Sequence, residues 1–264
     1  MQLTKKKKYI SNRFSRKYRR IERLRQIVKQ YDLQNNDSPG NLAILIIGRI
    51  KGYTFVEKKL AKLQRNYKAT LFCSLNKKNR SDYINRFCNL YDIKDDQLHL
   101  EPISPPEYLS KYHVPVQMRI DHAYSCWYHK QKCFELMENY QNKYNIKFDC
   151  ILYYRADIDE FEELRFDPLE ENTIYISEEK YPHIRDTYGI NDQIAYGNFE
   201  VMKKYCGIVN SIKDICDQEG ILYHPELLLK KYIEREKLVV KRTTYDYMLH
   251  PSRADHLAEY DDIE

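Results

Sequence analysis

The chain has 264 residues, of which 42% are hydrophobic and 31% charged, so it can bury the core of one large α/β domain or of two small ones. The net charge of +5 is unevenly divided: residues 1–30 carry +11 and the remainder −6, which disfavours a nucleic-acid-binding fold. No apolar run reaches about 18 residues and no apolar segment follows the basic N-terminus, so we expect neither a transmembrane helix nor a secretory signal.

The seven cysteines are scattered along the chain and form no Cys-x-x-Cys pair. This pattern predicts reduced thiols that mostly fill the core, and it argues against a zinc site. Reduced thiols in turn indicate a reducing compartment, so we expect a cytoplasmic protein.

Residues 1–40 are predicted to form a basic helical extension followed by a linker. Apolar residues recur at helical spacing between positions 10 and 31, and the opposite face is almost entirely Arg and Lys. Residues 34–40 are polar and rich in turn formers. Three interpretations of the helix stay open: contact with an anionic membrane surface, packing on protein or a second subunit, and a solvated arm. The first two make residues 10–31 a candidate for peripheral membrane binding or self-association.

From 41 to 244, strands alternate with helices, which predicts one globular α/β domain with a Rossmann-type mixed, mostly parallel sheet flanked by helices. In chain order, the predicted strands are 42–47, 69–74, 98–100, 149–154, 173–177 and 238–240. The predicted helices are 54–66, 120–144, 199–216 and 225–236. Residues 189–197 are expected to form a loop with a short element, and residues 245–264 a polar tail.

The turn after the first predicted strand is a candidate binding site for a phosphate-bearing substrate. It contains the substrate-binding candidates Gly48, Arg49, Lys51, Gly52 and Tyr53. Its glycines let the backbone approach a ligand, and its basic side chains can meet a diphosphate. An ordinary strand-to-helix turn is the alternative, because the spacing matches neither G-x-G-x-x-G nor a Walker loop.

An acidic cluster follows the strand predicted at 149–154. Asp157 and Asp159 stand just past this apolar strand, at the end of the sheet where open α/β proteins bind ligands. Such carboxylates suit Mg²⁺ or Mn²⁺, which bridge to substrate phosphates, and Arg155 is a candidate for binding the same substrate. A solvated acidic loop is the alternative, because Asp-x-Asp is common by chance and further glutamates follow.

The segment at 188–197 contains three consecutive polar residues, Asn191, Asp192 and Gln193, between glycines and aliphatic residues. We call these three residues the polar trio. A carboxylate on such a short, anchored element can act as a base on an acceptor hydroxyl, which makes Asp192 the catalytic candidate. Asn191 and Gln193 are substrate-binding candidates beside it. A helix cap before Gln193 is the alternative. Further along, His224 precedes a predicted helix and is a candidate third metal ligand, although a lone histidine is more often structural.

Taken in chain order, five segments resemble a family of GT-A-type glycosyltransferases found in bacteria and large DNA viruses. They are Gly-Arg-Ile-Lys-Gly-Tyr (48–53), Tyr-Ser-Cys-Trp-Tyr (124–128), Phe-Asp-Cys-Ile through Arg-Ala-Asp (148–157), Gly-Ile-Asn-Asp-Gln-Ile-Ala-Tyr-Gly (189–197) and His-Pro-Glu (224–226). The resemblance spans about 42–240 and leaves out the basic extension. It implies a GT-A-like fold in which Asp157 binds a divalent metal that holds the diphosphate of a sugar nucleotide. Asp159 completes an Asp-x-Asp, and Asp192 is implied to lie near the acceptor.

We therefore expect a glycosyltransferase that uses Mn²⁺ or Mg²⁺, a UDP- or GDP-type sugar donor and a glycan acceptor, without a nucleic-acid partner. A metal and basic side chains would neutralise the charge that grows on the diphosphate leaving group. The alternative is a non-catalytic binding or scaffolding protein on a degenerate α/β domain localised by its basic helix. The position of the predicted site residues distinguishes these two hypotheses. A glycosyltransferase requires Asp157 and Asp159 to share a cleft with Asp192 and Arg49, whereas scattered positions would favour the binding protein. The sugar and the nucleobase of the donor stay open, and so does the choice between inversion and retention at the anomeric carbon.

Overall fold

The computed structural model describes residues 40–48, 53–76, 81–112, 120–156, 158–160, 164, 166–177, 189–220, 223–243 and 247–249. The helix predicted at 10–31 and most of the tail predicted at 245–264 lie outside these residues. Within them, no helix combines the length and the apolar character needed to cross a bilayer.

Seven strands form the main sheet. They are β1 (Leu42–Ile47), β2 (Thr70–Asn76), β3 (Leu98–Glu101), β4 (Cys150–Arg155), β6 (Thr173–Ser177), β7 (Ile194–Gly197) and β8 (Val239–Thr243). Their order is β3-β2-β1-β4-β7-β6-β8, and β7 runs antiparallel to both of its neighbours while the other pairings are parallel. A separate two-stranded sheet pairs β5 (Ile158–Glu160) antiparallel with β9 (Tyr247–Leu249).

The described helices flank this sheet. They are α1 (Tyr53–Tyr67), α2 (Ser81–Tyr91), α3 (Ile120–Tyr144), α4 (Phe199–Cys206), α5 (Ile212–Glu219) and α6 (Pro225–Arg235). Short 3-10 turns lie at Asp95–Gln97, Glu107–Lys111 and Gly207–Asn210. The longest helix, α3, packs along β1 and β2.

The central strands are covered on both faces, which explains their continuous apolar sequences. All six residues of β1 are buried. Leu45 belongs to a core shared with α3, α4, α5 and α6, whereas Ile44 belongs to a second core shared with α1 and α2. Neighbouring residues alternate between the two cores because side chains alternate along a strand. Each fully buried aliphatic side chain contributes roughly 1.5–3 kcal/mol.

The predicted α/β fold, with a mixed, mostly parallel sheet flanked by helices, is confirmed. The seven cysteines are all free thiols, five of them buried and two partly buried, as the sequence predicts for core-filling residues.

The single helix predicted at 199–216 is wrong. The chain instead forms α4, a 3-10 turn and α5. Gly207 closes α4, and a β-carbon at this position would stand 3.0 Å from the hydroxyl of Tyr232 on α6. The apolar periodicity of the segment continues across Gly207 and does not reveal this break.

Other elements differ from the prediction in smaller ways. The short element expected at 189–197 is β7, a strand in the middle of the sheet. The described chain continues past 244 with β9, which pairs with β5. Neither β5 nor α2 is predicted from the sequence. β5 has only three residues, whereas the buried side chains of α2, namely Ile84, Phe87, Leu90 and Tyr91, recur at helical spacing and form a signal that the prediction did not use.

Candidate functional site

The sheet has a topological switch point between β1 and β4. The chain passes from β1 outward to β2 and β3, and then returns to β4 on the other side of β1. Open α/β sheets bind ligands at such a point, outside the carboxyl ends of the strands. A ligand site is therefore expected where β1 ends at Ile47 and β4 ends at Arg155.

Two of the predicted binding segments leave the sheet side by side at the switch point. Ile47 and Arg155 are register partners, and the N–H of Ala156 donates to the carbonyl of Ile47 at 2.9 Å. Gly48 follows with a φ of +107°, a conformation that favours glycine. A β-carbon at Gly48 would lie 3.9 Å from the nitrogen of Ala156. The glycine-flanked turn and the acidic segment thus begin next to each other.

Several predicted site residues lie outside the described residues, namely Arg49, Lys51, Gly52 and Asp157. Tyr53 opens α1, and Asp159 lies in β5 opposite Met248, but only the backbone of these two site residues is described. In the described part of the chain, no group of three or more His, Cys, Asp or Glu side chains is arranged to hold a metal ion. The metal roles of Asp157 and Asp159 stay predictions from the sequence.

Antiparallel β7 brings the Asn-Asp-Gln loop to the carboxyl end of β4. Ile194 pairs with Tyr154, and the N–H of Arg155 donates to the carbonyl of Gln193 at 3.3 Å. Asp192 therefore faces Arg155, with Oδ1 and Nη1 3.8 Å apart and each side chain only 11% exposed. Two residues predicted from separate motifs form one nearly buried ion pair.

Asn191 fixes the shape of this loop. Its Oδ1 accepts from the N–H of Gln193 at 2.9 Å, and its Nδ2 donates to the Oγ of Ser177 at 3.3 Å. The helix-cap interpretation of the trio is wrong, because the strand β7 follows it. The Asn191 side chain is buried among these partners, and its substrate-binding role, like that of Gln193, stays a prediction.

The first turn of α6 packs against the loop and contributes a second carboxylate. The N–H of Ile190 donates to the carbonyl of Glu226 at 3.0 Å. His224 is the N-cap residue of α6, and its Nδ1 lies 2.9 Å from the Oε2 of Glu226. Burial raises the pKa of Glu226, but the neighbouring imidazole of His224, a backbone N–H and the charge of Arg155 outweigh it and hold this pKa below its usual range. His224 thus contacts Glu226 in the first turn of α6, and its metal-ligand role stays a prediction.

Lys130 is fully buried on the face of α3 that packs on the sheet. Its Nζ donates to the hydroxyl of Tyr205 at 3.3 Å and lies 4.3 Å from the ring centroids of both Tyr153 and Tyr205. Burial lowers the pKa of Lys130, and the negative charge of Asp192 is the strongest of the influences that oppose this shift.

Lys130 is not among the residues predicted from the sequence, although the sequence carries a signal for it. The buried stripe of α3 is spaced by three or four residues: Ala123, Trp127, Lys130, Phe134 and Met137. A lysine in the middle of such a stripe is unusual, since lysine is almost never fully buried without a partner. Glu226 gives no comparable signal, because a glutamate in the first turn of a helix is ordinary.

A second polar group lies at the carboxyl ends of β2 and β3. The Oγ of Ser74 is 2.8 Å from the Nδ1 of His129 and 2.9 Å from the Nδ1 of His99. The Nε2 of His99 is 3.2 Å from the Oε2 of Glu101, which also accepts from the hydroxyl of Tyr128 at 2.6 Å. We call these five residues the histidine relay.

The relay fixes the tautomers of its histidines when both are neutral. An ionised Glu101 only accepts, so the proton of His99 lies on Nε2, and its Nδ1 accepts from the hydroxyl of Ser74. The oxygen of Ser74 then accepts from the Nδ1–H of His129. The Nε2 of His129 is left as a lone pair, buried and without a hydrogen-bond partner among the described residues. Burial lowers the pKa of His129 to about 4, which keeps the ring neutral near pH 7.

Taken together, the group at the switch point combines two carboxylates, on Asp192 and Glu226, with the guanidinium of Arg155, and the buried amine of Lys130 lies on α3. In a nearly buried site, charges act on each other and on a ligand more strongly than they do in water. Such a group can hold an anionic substrate and take up a proton from a neighbouring hydroxyl.

No protein-family model matches the chain, and neither does any curated protein. The function of the chain is therefore inferred from the chemistry of this site.

Proposed function

We propose that the protein is a metal-dependent glycosyltransferase that moves a sugar from a nucleotide-sugar donor to a hydroxyl of a glycan or glycoconjugate. The observation that carries this proposal is the ion pair of Arg155 and Asp192, with Nη1 and Oδ1 3.8 Å apart, at the switch point between β1 and β4. This is the position at which open α/β sheets bind their ligands.

Arg155 suits the donor side of the reaction. Glycosyl transfer breaks the bond between the anomeric carbon and a diphosphate oxygen, so negative charge grows on the leaving group. A guanidinium is charged at every physiological pH and can pair with phosphate oxygens in a bidentate manner. Because its side chain is only 11% exposed, the charge of Arg155 is weakly screened by water.

Asp192 suits the acceptor side. The attacking hydroxyl loses its proton as the new bond to the anomeric carbon forms, and a positioned carboxylate takes that proton in an inverting reaction. Two hydrogen bonds fix the backbone next to Asp192. The side chain of Asn191 accepts from the N–H of Gln193, and the carbonyl of Gln193 accepts from the N–H of Arg155. In a retaining reaction, the same carboxylate would orient the acceptor.

A divalent ion, Mn²⁺ or Mg²⁺, would be held by Asp157 and Asp159, with His224 as the third candidate. When bound, such an ion neutralises the phosphate oxygens of the leaving group. The side chains of Asp157 and Asp159 lie outside the described residues, and His224 contacts Glu226, so support for the ion comes from the carboxylates that the sequence places after β4.

The proposal is tested by incubating the full chain with a panel of nucleotide sugars, with Mn²⁺ or with EDTA, and measuring the release of nucleoside diphosphate. We expect release from one donor or a few, only with the metal, and loss of release in Asp157→Asn. Asp214→Asn is the matched control, because Asp214 is exposed on α5. Absence of release from every donor, with no change in thermal unfolding on adding nucleoside diphosphates and Mn²⁺, would favour the binding or scaffolding alternative.

A further inference from the structure

The histidine relay joins three elements at the carboxyl edge of the sheet. The hydroxyl of Ser74 on β2 lies between two Nδ1 atoms, that of His99 on β3 at 2.9 Å and that of His129 on α3 at 2.8 Å. Ser74 is 0% exposed, and among the described residues these two imidazoles are the hydrogen-bond partners of its hydroxyl. Ser74 is in register with Ile47, which is itself in register with Arg155, so the relay lies two strands from the candidate site.

The single hydrogen of the Ser74 hydroxyl allows two arrangements of the relay. It can point to only one Nδ1 atom, and the other Nδ1 must then carry a hydrogen and donate to the oxygen, because an unpaired polar group is costly in a buried place. In the first arrangement, Ser74 donates to His99 and accepts from His129, whose Nε2 is left as a lone pair. In the second arrangement, Ser74 accepts from His99 and donates to His129, whose hydrogen then lies on Nε2.

One proton on His99 selects between the two arrangements. The ionised carboxylate of Glu101 only accepts, so it keeps a hydrogen on the Nε2 of His99, 3.2 Å away. When His99 is neutral, its Nδ1 therefore carries no hydrogen, which gives the first arrangement. When His99 is protonated, both of its nitrogens carry hydrogen, and the hydrogen of Ser74 has to turn to His129. The relay gains one proton in total: His99 becomes an imidazolium, and the hydrogen of neutral His129 moves from Nδ1 to Nε2.

The proton goes to His99 and not to His129. The side chains of His99 and Glu101 are 27% and 45% exposed, so water reaches them, and protonation turns their contact into an ion pair. His129 is only 3% exposed, and burial disfavours its charged form.

The other titratable groups around the relay have partners of their own. From α3, the hydroxyl of Tyr128 donates to Glu101 at 2.6 Å, and burial together with this contact raises the pKa of Tyr128 to about 12. Lys132 lies 5.7 Å from the centroid of the Tyr128 ring and pairs with Glu135. The thiol of Cys133 donates to a backbone carbonyl of β2 at 3.3 Å. In the described part of the chain, the two imidazoles therefore decide the direction of the hydrogen bonds.

We propose that the histidine relay is a proton-operated switch: one proton taken up by His99 reverses its hydrogen bonds and changes the Nε2 of His129 from an acceptor into a donor. This nitrogen is buried and has no hydrogen-bond partner among the described residues, so the switch changes what it can bind. Without the proton, it accepts from a hydroxyl or an amide N–H of a ligand. With the proton, it donates to a carbonyl or phosphate oxygen. The inference does not depend on the proposed function.

NMR of the full chain, with ¹⁵N-labelled histidine, reads the positions of these hydrogens, because a ring nitrogen that carries hydrogen differs in chemical shift from one that does not. Loss of signals in His99→Gln and His129→Gln assigns the two rings. We expect His129 to carry its hydrogen on Nδ1 while His99 is neutral and on Nε2 once acidification has protonated His99, with one common midpoint. A tautomer of His129 that stays the same while His99 takes up its proton would overturn the switch.

A change of Glu101 tests the end of the relay that takes up the proton. We expect Glu101→Gln to move the common midpoint to lower pH, because the imidazolium of His99 loses its ion pair. Glu138→Gln is the matched control, since Glu138 is also on the protein surface near α3 residues but pairs with Lys203 instead. The same midpoint in both variants would show that the carboxylate of Glu101 does not control His99, and would overturn the proposal.

A change of Ser74 tests the coupling itself. In Ser74→Ala we expect His99 still to take up its proton, while the tautomer of His129 no longer changes at that pH, because the hydroxyl between the rings is gone. Ser74→Cys replaces it if Ser74→Ala does not fold, since a thiol is only a weak donor. A purely structural contact predicts no such loss of coupling, so a His129 tautomer that still follows His99 in these variants would overturn the switch.

Discussion

Gly189 lies directly against the backbone of Glu226. A β-carbon at position 189 would stand 2.1 Å from the carbonyl oxygen of Glu226 and 2.7 Å from the nitrogen of Leu227. Gly189 also has a φ of +125°, which residues with side chains rarely adopt. Since the next residue, Ile190, donates its N–H to the same carbonyl, this contact docks the loop that carries Asp192 onto α6.

Replacing Gly189 should therefore separate the loop from α6. We expect Gly189→Ala to lower the free energy of unfolding by about 2–5 kcal/mol, from backbone strain and overpacking together. Gly220→Ala is the matched control: Gly220 also has a positive φ, +62°, but no atom lies within 4 Å of its added β-carbon. Urea unfolding measures both variants, and equal losses would show that the contact with Glu226 adds nothing.

Removing the carboxylate of Asp192 should affect turnover and spare donor binding. Loss of a positioned base typically lowers the rate about 10²–10⁴-fold, so we expect Asp192→Asn to reduce kcat within this range. Donor affinity, measured by calorimetry, should be nearly unchanged, because Arg155 stays in place. A product of retained anomeric configuration, seen by NMR, would make Asp192 an orienting residue instead of a base.

The sequence predicts Arg155 and Asp192 one by one but not their contact. Each stands out within its own motif, whereas their proximity depends on β7 running antiparallel beside β4. β7 has only four residues, and a short apolar run between glycines does not reveal its direction. The central parallel strands β1, β2 and β4 are easier to predict, because burial on both faces makes them nearly continuously apolar.

The contacts within the histidine relay cannot be predicted from the sequence, for a different reason. Ser74 is 25 residues from His99 and 55 from His129, and no pattern joins them. They meet because β2 and β3 are parallel neighbours with Ser74 and His99 in register, and because α3 crosses the same end of the sheet. Single polar residues at the ends of apolar strands become informative only once the strand order is known.

Burial of His129 should make stability depend on pH. Its pKa is lowered to about 4 in the folded protein, against about 6.5 in an unfolded chain. Between these values the unfolded state binds more protons, so the stabilisation is fully present above about pH 6.5 and is lost as the pH falls towards 4. The loss is on the order of 3 kcal/mol.

This pH dependence is checked by urea unfolding between pH 4 and 7. His129→Gln should unfold at lower urea at pH 7, and its stability should fall less steeply below pH 6.5 than that of the wild type. His122→Gln is the control, since His122 is on the exposed side of the same helix. Equal slopes of stability against pH in the two variants would show that the pKa of His129 is not lowered in the folded protein.

The basic extension should act in localisation or assembly and not in catalysis. Residues 1–30 carry a net charge of +11. The apolar residues at helical spacing within 10–31 predict an apolar helix face, whose exposure to water is unfavourable. On an anionic bilayer, each Lys or Arg near the headgroups contributes about 1 kcal/mol, an attraction that salt screens. Docking on the acidic remainder of a second copy would use the same charges.

Deleting residues 1–36 distinguishes these roles. We expect the shortened chain to keep its turnover on a small soluble acceptor, because the described site begins at Gly48. It should also lose either sedimentation with anionic liposomes or the oligomeric mass seen by light scattering, and neutral liposomes serve as the control for binding that does not depend on charge. If the full chain and the shortened chain agree in both measurements at low salt, the extension is a solvated arm. A loss of turnover on the soluble acceptor would instead place the extension in the catalytic site.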